Sequence, residues 1–242
     1  MSSSSNSSMD LDSNSYYYSV QQKGIDRRIK DRLVERCLPF ISGPHVLDLG
    51  FVDDVWVHRL LPNGYKVDIV EGASRHVQVA QKFYASNQSV RVFHSLFEDF
   101  SPDGLYDSIV AGDMIRYVEE PVAFLKKVKY WLEPNGKLVV TVPNCRSLHR
   151  RIGTLMGKEA HPHDLSDQDI QVGNLRCYDR YDLRALILES GYRIHHLHGF
   201  FLKPLSSSQM NQWSDDLLDA FCQLGDELED YAWFLYALCE QP

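Results

Sequence analysis

The stretch "HVLDLGFVDDVWV" (residues 45–57) joins a short apolar strand to a helix through a turn that begins with an acid and a glycine. The pattern predicts a strand over residues 45–50 and a helix over residues 55–61. Turns that bind a nucleotide at this place in an α/β protein carry further glycines. Val52 and Asp54 stand in those places here. The stretch therefore predicts a βα unit whose connecting turn is altered in shape or chemistry.

The same alternation of strand and helix continues along most of the chain. Further strands are predicted at residues 66–72, 90–96, 106–113, 136–144, 192–202 and 231–240. Helices are predicted at residues 25–40, 74–86 (with Ser74 as the N-cap), 121–133, 179–191 and 206–225. Strands that alternate with helices form a mostly parallel sheet with helices on both faces. We therefore expect an α/β fold with seven strands in a single domain.

Composition marks the boundaries of this domain and one interruption within it. Residues 1–14 are rich in Ser and Asn and too poor in apolar side chains to repay the entropy of ordering, so we expect a disordered tail. Residues 145–177 are polar and lose the regular alternation. This pattern predicts a domain over residues 15–242 that carries an insert at 145–177.

Charge and cysteine content narrow the function classes. The 242 residues include 25 basic and 33 acidic side chains, a net charge of −8, which gives no electrostatic reason to expect nucleic acid as a partner. No apolar run approaches the roughly 20 residues that span a bilayer, and the N-terminus does not resemble a secretory leader, so we expect no membrane partner. The five cysteines are scattered without CxxC spacing, which indicates reduced thiols in the cytoplasm rather than disulfides or a metal site.

The ends of the first two strands are the predicted ligand site. In an open α/β sheet, ligands bind beyond the carboxyl ends of the strands where the strand order reverses. The first strand ends at Asp48 and Gly50, and Glu71 ends the second strand 21 positions after Gly50. This spacing is typical of an acid that binds ribose hydroxyls. The combination favours a cofactor of the adenosine type over an empty scaffold.

Several of these segments resemble the class I S-adenosylmethionine (SAM)-dependent methyltransferases, and most closely the small-molecule branch of that family. The matching segments are "VLDLG" (46–50), "VDIVEGAS" (67–74), "FHSLFEDF" (93–100), the long block 106–144, "SLHRRIGTLMG" (147–157), "YDRYDLRALILESGY" (178–192) and "FLKPLSSSQM" (201–210). The resemblance implies a Rossmann-like mixed sheet of order 3-2-1-4-5-7-6 with only the last strand antiparallel. It also implies SAM as the cofactor and methyl transfer to an oxygen or nitrogen of a small-molecule metabolite.

Residue roles follow from the resemblance by motif position. Asp48 and Gly50 would lie along the methionine part of SAM, Glu71 and Gly72 at its ribose, Leu96 and Phe97 beside adenine, and Gly112 and Asp113 next to the sulfonium and the acceptor. The glycine motif is degenerate, since family members usually carry glycines where Val52 and Asp54 stand. Asp53 and Asp54 would either cap the following helix or accept from the ammonium group of SAM. We expect cofactor binding to survive this departure.

Candidate catalytic residues lie near the ends of the fourth and fifth strands. His149 is the first choice for a general base, with a histidine that only hydrogen-bonds its loop as an equally weighted alternative. Asp113 is the second catalytic candidate. Tyr18, in the run Tyr16 to Tyr18, is predicted to cover the cofactor as part of a lid, or else to pack against the sheet. A metal at His163 would need Cys, Asp or Glu in spatial reach, and a solvated loop is favoured.

Three functions remain open at this point. The leading hypothesis is a cytoplasmic methyltransferase that acts on a small metabolite. A non-catalytic partner protein with weak cofactor binding is the second, and transfer of another group from the same sulfonium is the third. An oligomer is possible, and no motif in the sequence names the acceptor.

Overall fold

The computed structural model describes residues 24–51 and 53–241 and confirms the predicted sheet. Seven strands lie in the order β3-β2-β1-β4-β5-β7-β6. Their bounds are β1 His45–Leu49, β2 Lys66–Glu71, β3 Val90–His94, β4 Tyr106–Gly112, β5 Leu132–Pro143, β6 Arg193–Phe200 and β7 Phe234–Glu240. Strands β1 to β5 pair in parallel, and β7 runs antiparallel to both β5 and β6. The fold class and strand order are thus as the sequence predicts.

Helices cover both faces of this sheet. Their bounds are α1 Ile25–Cys37, α2 Val55–Leu60, α3 Ser74–Phe83, α4 Pro121–Lys129, α5 Leu148–Leu155, α6 Asp167–Gln171, α7 Arg180–Glu189, α8 Ser207–Met210 and α9 Asp215–Glu227. Two separate apolar clusters explain why both faces are covered. Along β1, Leu47 and Leu49 belong to the cluster under α4 and α7, whereas Val46 belongs to the cluster under α1, α2 and α9. Successive side chains of a strand point to opposite faces, so one buried strand supplies both layers.

Local details differ from the sequence prediction in four places. Ser74 is the first residue of α3 and not its N-cap, which is Ala73. The helix predicted over residues 206–225 is two helices, because Ser206 caps α8 and Ser214 caps α9. The helix predicted to reach residue 133 ends at Lys129, and β5 begins at Leu132. The insert contains two helices of its own, α5 and α6.

The strand register brings the predicted ligand-binding tips to one edge. The Gly50 amide donates to the Val70 carbonyl at 2.8 Å, which places Gly50 level with the end of β2. Gly112 at the end of β4 pairs with Thr141 of β5. These tips therefore form one continuous rim. Within the described part of the chain, no helix is long and apolar enough to cross a membrane.

Candidate active site

Four acids gather at this edge of the sheet and form what we call the acid rim: Asp48, Asp53, Glu71 and Asp113. Asp48 is only 2% exposed. Burial raises the pKa of its carboxyl group well above the ordinary value, and the nearby carboxylates of Asp53 and Glu71 raise it further. A buried acid among other acids is stabilised in its charged form by a cation. The rim is therefore suited to a positively charged ligand.

Glu71 joins the tips of β1 and β2. Its Oε2 accepts from the amide of Phe51 at 2.7 Å, and its Oε1 accepts from the amide of Ala73 at 2.7 Å. Burial alone would raise the pKa of Glu71, but the hydrogen bond from His76 and those from the two amides lower it below the ordinary value. Glu71 is thus held as a carboxylate. Oε1 has a second lone pair, which leaves acceptor capacity for a hydroxyl group of a ligand, whereas His76 approaches Oε2.

Two cations of helix α1 reach the altered turn. The Lys30 ammonium lies 3.1 Å from Asp53 Oδ2 and 3.7 Å from Asp113 Oδ2. Arg27 pairs with Asp54. Burial would raise the pKa of Asp53, but Lys30, the Val55 amide and Arg27 lower it. Asp53 also accepts from the amide of Val55, the first residue of α2, at 3.3 Å, whereas the N-cap residue Asp54 makes no capping hydrogen bond.

The turn after β1 needs a glycine at its first position. Gly50 has φ +99°, in the left-handed region that L side chains rarely adopt. A Cβ placed on Gly50 would lie 3.6 Å from Cζ of Phe97. Phe97 therefore lies over the turn, on the side assigned to adenine, while Leu96 is exposed at 40%. Val52, the substituted glycine position, and Tyr18 lie outside the described residues.

The end of β4 is tightly constrained. A Cβ on Gly112 would lie 2.7 Å from Nε1 of Trp56, so the indole of α2 covers one side of this glycine. Asp113, the next residue, has φ +59°, which is uncommon for a residue other than glycine. Its amide donates to the Thr141 carbonyl at 2.9 Å, and its Oδ1 accepts from the Thr141 hydroxyl at 3.1 Å. Backbone strain of this kind persists only where surrounding contacts hold it, and it clusters at functional sites.

A cavity of about 980 Å³ lies between α1, the insert and the end of β5. Lys30 and Asp53 line one part of it, and His149 and Trp233 line another. Of the residues assigned to the cofactor by motif position, Asp53 alone lines this cavity within the described part of the chain. Through Lys30 the cavity borders Asp113, so it adjoins the acid rim. Its volume is at the upper end of the usual range for small-molecule sites.

His149 faces this cavity from the first turn of α5. Its ring packs edge-on against Trp233 with the centroids 6.3 Å apart, and Nδ1 lies 3.2 Å from the Ser147 hydroxyl. Burial lowers the pKa of His149 to about 3, and the positive charges of Lys203 and Arg150 contribute. The ring is therefore neutral at physiological pH and is a hydrogen-bond acceptor rather than a strong base.

Sequence reasoning missed two cations of this site, Lys30 and Lys203. Lys203 is 6% exposed, and its ammonium lies 3.6 Å from the centroid of the Trp233 ring. It donates to the Ser207 hydroxyl at 2.8 Å. Arg150, also on the cavity wall, binds Asp169 of the insert at 2.8 Å. Lys30 and Asp53 are 23 positions apart, and Lys203 and Trp233 are 30 apart, so no local sequence pattern signals these contacts.

Comparison with known proteins identifies the domain. The profile of a protein family described as "Methyltransferase domain" matches residues 22–197. The chain belongs to this family. It is a class I SAM-dependent methyltransferase domain, as its strand order and the resemblance of its motifs indicate.

Similar proteins agree with this assignment. The domain is 25% identical over 181 residues to the mitochondrial ubiquinone biosynthesis O-methyltransferase of Schizosaccharomyces pombe, a match that covers 72% of this chain and 63% of that relative. Two solved structures share the fold. One is a SAM-dependent methyltransferase from Mesorhizobium loti (TM-score 0.61, 16% identity, 87% of this chain and 96% of that chain). The other is the N-methyltransferase NodS from Bradyrhizobium japonicum WM9 in complex with S-adenosylhomocysteine (SAH) (TM-score 0.60, 13% identity, 96% of this chain and 100% of that chain).

The residues at the strand tips fit SAM, the cofactor of this family. The buried Asp48 beside two further carboxylates calls for a cation, and SAM carries both a sulfonium and an ammonium group. Glu71 retains acceptor capacity at the position that the resemblance assigns to ribose. Lys30 already supplies positive charge to Asp53 and Asp113.

Proposed function

We propose that this methyltransferase domain transfers a methyl group from SAM to an oxygen or nitrogen of a small-molecule acceptor. The observation that carries the proposal is the 980 Å³ cavity, which adjoins the acid rim through Lys30 and extends to His149. A cavity of this size beside a cofactor site suits an acceptor of metabolite size. The ubiquinone O-methyltransferase relative supports an oxygen acceptor, although only 63% of its length is matched.

Binding and orientation are the main tasks of the chain in this reaction. SAM, when bound, supplies the methyl group of its sulfonium. The bond from the methyl carbon to sulfur breaks as the bond to the acceptor forms, and the rest of the cofactor leaves as SAH. Asp48, Gly50, Asp53 and Gly112 would hold its methionine part, and Glu71 with Gly72 its ribose. Leu96 and Phe97 would border adenine. Holding the acceptor atom in line with the methyl group accounts for most of the rate in such displacements.

His149 and Asp113 are the proposed catalytic residues. The neutral His149 would accept a hydrogen bond from the acceptor hydroxyl or amine and orient its lone pair toward the methyl group. With a pKa of about 3, His149 would not hold the released proton at neutral pH. Asp113, held beside the cavity by Thr141 and Lys30, would accept that proton transiently and pass it to solvent.

Titration calorimetry and product analysis test the proposal. The full chain is titrated with SAM and with SAH, and acceptor hydroxyls and amines are then screened for SAH release with mass analysis of the product. Binding of both ligands and a product heavier by one methyl group are expected. No heat at millimolar ligand would overturn the proposal, and a product that carries a different group would assign another transfer.

A non-catalytic binding role is the second candidate, and Lys30 is the observation that favours it. An ammonium group 3.1 Å from Asp53 already satisfies part of the acid rim without a ligand. In that case SAM would bind weakly or not at all, and replacing Lys30 by Met would strengthen SAM binding. Titration and product analysis on the unaltered chain separate the two functions, because only the first predicts SAM binding followed by methyl transfer.

A further inference from the structure

Two cysteines that are 32 positions apart in the sequence meet beside the insert. Asn144 forms a parallel bridge with Tyr178, and the Cys145 amide donates to the Tyr178 carbonyl at 2.9 Å. This pairing brings the end of β5 next to the segment that leads into α7. As a result, the thiols of Cys145 and Cys177 interact with each other.

His163 and Asp182 complete this cluster. One ligand atom each of Cys145, His163 and Asp182 lie within 4.8 Å of one another. His163 Nε2 is 3.1 Å from Asp182 Oδ2, and the Cys177 thiol donates to the His163 carbonyl at 3.0 Å. Cys145 and Asp182 are therefore the Cys and Asp within reach of His163 that a metal site at this loop needs.

We propose that Cys145, His163 and Asp182 bind a zinc ion, with a fourth position left for water. Sulfur, imidazole and carboxylate ligands are the set that Zn²⁺ takes in tetrahedral sites, with bonds of about 2.0–2.3 Å. Thiolate and imidazole favour Zn²⁺ over Mg²⁺ and Ca²⁺, which prefer oxygen. Cys145 is 1% exposed and forms the floor, whereas the His163 and Asp182 side chains are 36% and 46% exposed and leave an entry path.

A metal ion bound at this position would stabilise the local structure. Its ligands come from the start of the insert, the middle of the insert and helix α7, so a bound ion joins three segments that are separate in the sequence. The insert residues around His163, including Asp164 and Leu165, line the acceptor cavity. Metal binding that needs the folded arrangement stabilises that arrangement. The ion would therefore fix one wall of the cavity, whatever acceptor the cavity holds.

Cobalt and zinc titrations of the full chain test the site. Protein stripped with a chelator and kept in a non-thiol reductant is titrated with Co²⁺, followed by thiolate-to-cobalt absorption, and then with Zn²⁺ as competitor. We expect one equivalent of Co²⁺ to bind with thiolate absorption, Zn²⁺ to displace it, and Zn²⁺ to slow proteolysis within residues 156–166.

Matched variants locate the ligands. His163→Gln and Cys145→Ser should each weaken Co²⁺ binding by at least ~100-fold. Replacing a residue that only hydrogen-bonds a metal ligand already lowers metal affinity by about 10–100-fold, and loss of a ligand itself should cost no less. Two control variants should bind Co²⁺ like the unaltered chain. One is His161→Gln, which removes a ring that stacks on His163 at 5.2 Å, and the other is Cys222→Ser on α9. His163 is a partly exposed loop residue, so its variant tests the site even if Cys145→Ser fails to fold. No saturable Co²⁺ binding, or binding that both ligand variants leave unchanged, would overturn the proposal.

Discussion

Lys30 of the first helix places its ammonium 3.1 Å from the Asp53 carboxylate of the turn after β1. This contact links α1 to the turn in which the usual glycines are replaced. It also sets the charge balance of the cofactor site, because the same ammonium lies 3.7 Å from Asp113. The altered turn is thus an ion-paired turn, and its acids have partners within the protein.

Replacing Asp53 by Asn should weaken SAM more than SAH. The substitution leaves the Lys30 ammonium less neutralised near the place assigned to the sulfonium, which SAH lacks. Two like charges ~8–16 Å apart near a protein surface cost about 1–2 kcal/mol, so SAM affinity should fall roughly 5–30-fold. Calorimetric titration with both ligands measures the difference. Asp54→Asn, which loses a pair with Arg27 instead, is the matched control. Equal effects on SAM and SAH would contradict this account.

Glu71 should make stability depend on pH at the acid end. Burial would raise its pKa, but His76 and two amides hold it below the ordinary 4.5, so folding is favoured while the carboxylate is charged. That contribution is complete above pH 4.5 and is lost as the pH falls through the folded-state pKa. Glu71→Gln should lower the free energy of unfolding at neutral pH by ~1–3 kcal/mol and reduce its fall in acid.

Denaturant unfolding at several pH values from roughly 3 to 7 measures this effect. Glu35→Gln on α1 is the control, because it removes the same charge from a side chain that is 49% exposed. If the unaltered chain and Glu71→Gln lose stability in parallel as the pH falls, the assignment of the acid transition to Glu71 is wrong.

Gly112→Ala should destabilise the domain through Trp56. The added Cβ would lie 2.7 Å from the indole Nε1, and overpacking of this kind costs about 1–3 kcal/mol. Gly104→Ala, where nothing lies within 4 Å, should be close to neutral. In a double-mutant cycle, Trp56→Phe should recover part of the loss, since the two residues are in contact. Additive losses in thermal unfolding would show that Gly112 is constrained by something else.

The fold was predictable from sequence because the central strands β1, β2 and β4 are short, mostly apolar runs between turn residues. The helix boundaries were harder to predict. Residues 206–225 have the pattern of one helix, but Ser206 is the N-cap of α8 and Ser214 is the N-cap of a second helix, α9. The candidate site was predictable where it depends on strand tips, such as Asp48 and Glu71. The cations of the site were not predictable, because Lys30 and Asp53 are 23 positions apart and sequence periodicity does not indicate such a contact.

Lys203→Met should raise the pKa of His149. Burial is the largest cause of its low value of about 3, and the Lys203 ammonium is the next, so removing that charge should move the pKa upward but leave it below 6.5. Histidine ring signals followed by NMR across acid pH measure the shift. Lys158→Met is the control, since Lys158 lines the same cavity and is not among the charges that act on His149. Met retains most of the apolar stem that packs on Trp233. An unchanged His149 titration in Lys203→Met would mean that burial alone keeps the ring neutral, and that Lys203 does not act on the proposed hydrogen-bond acceptor.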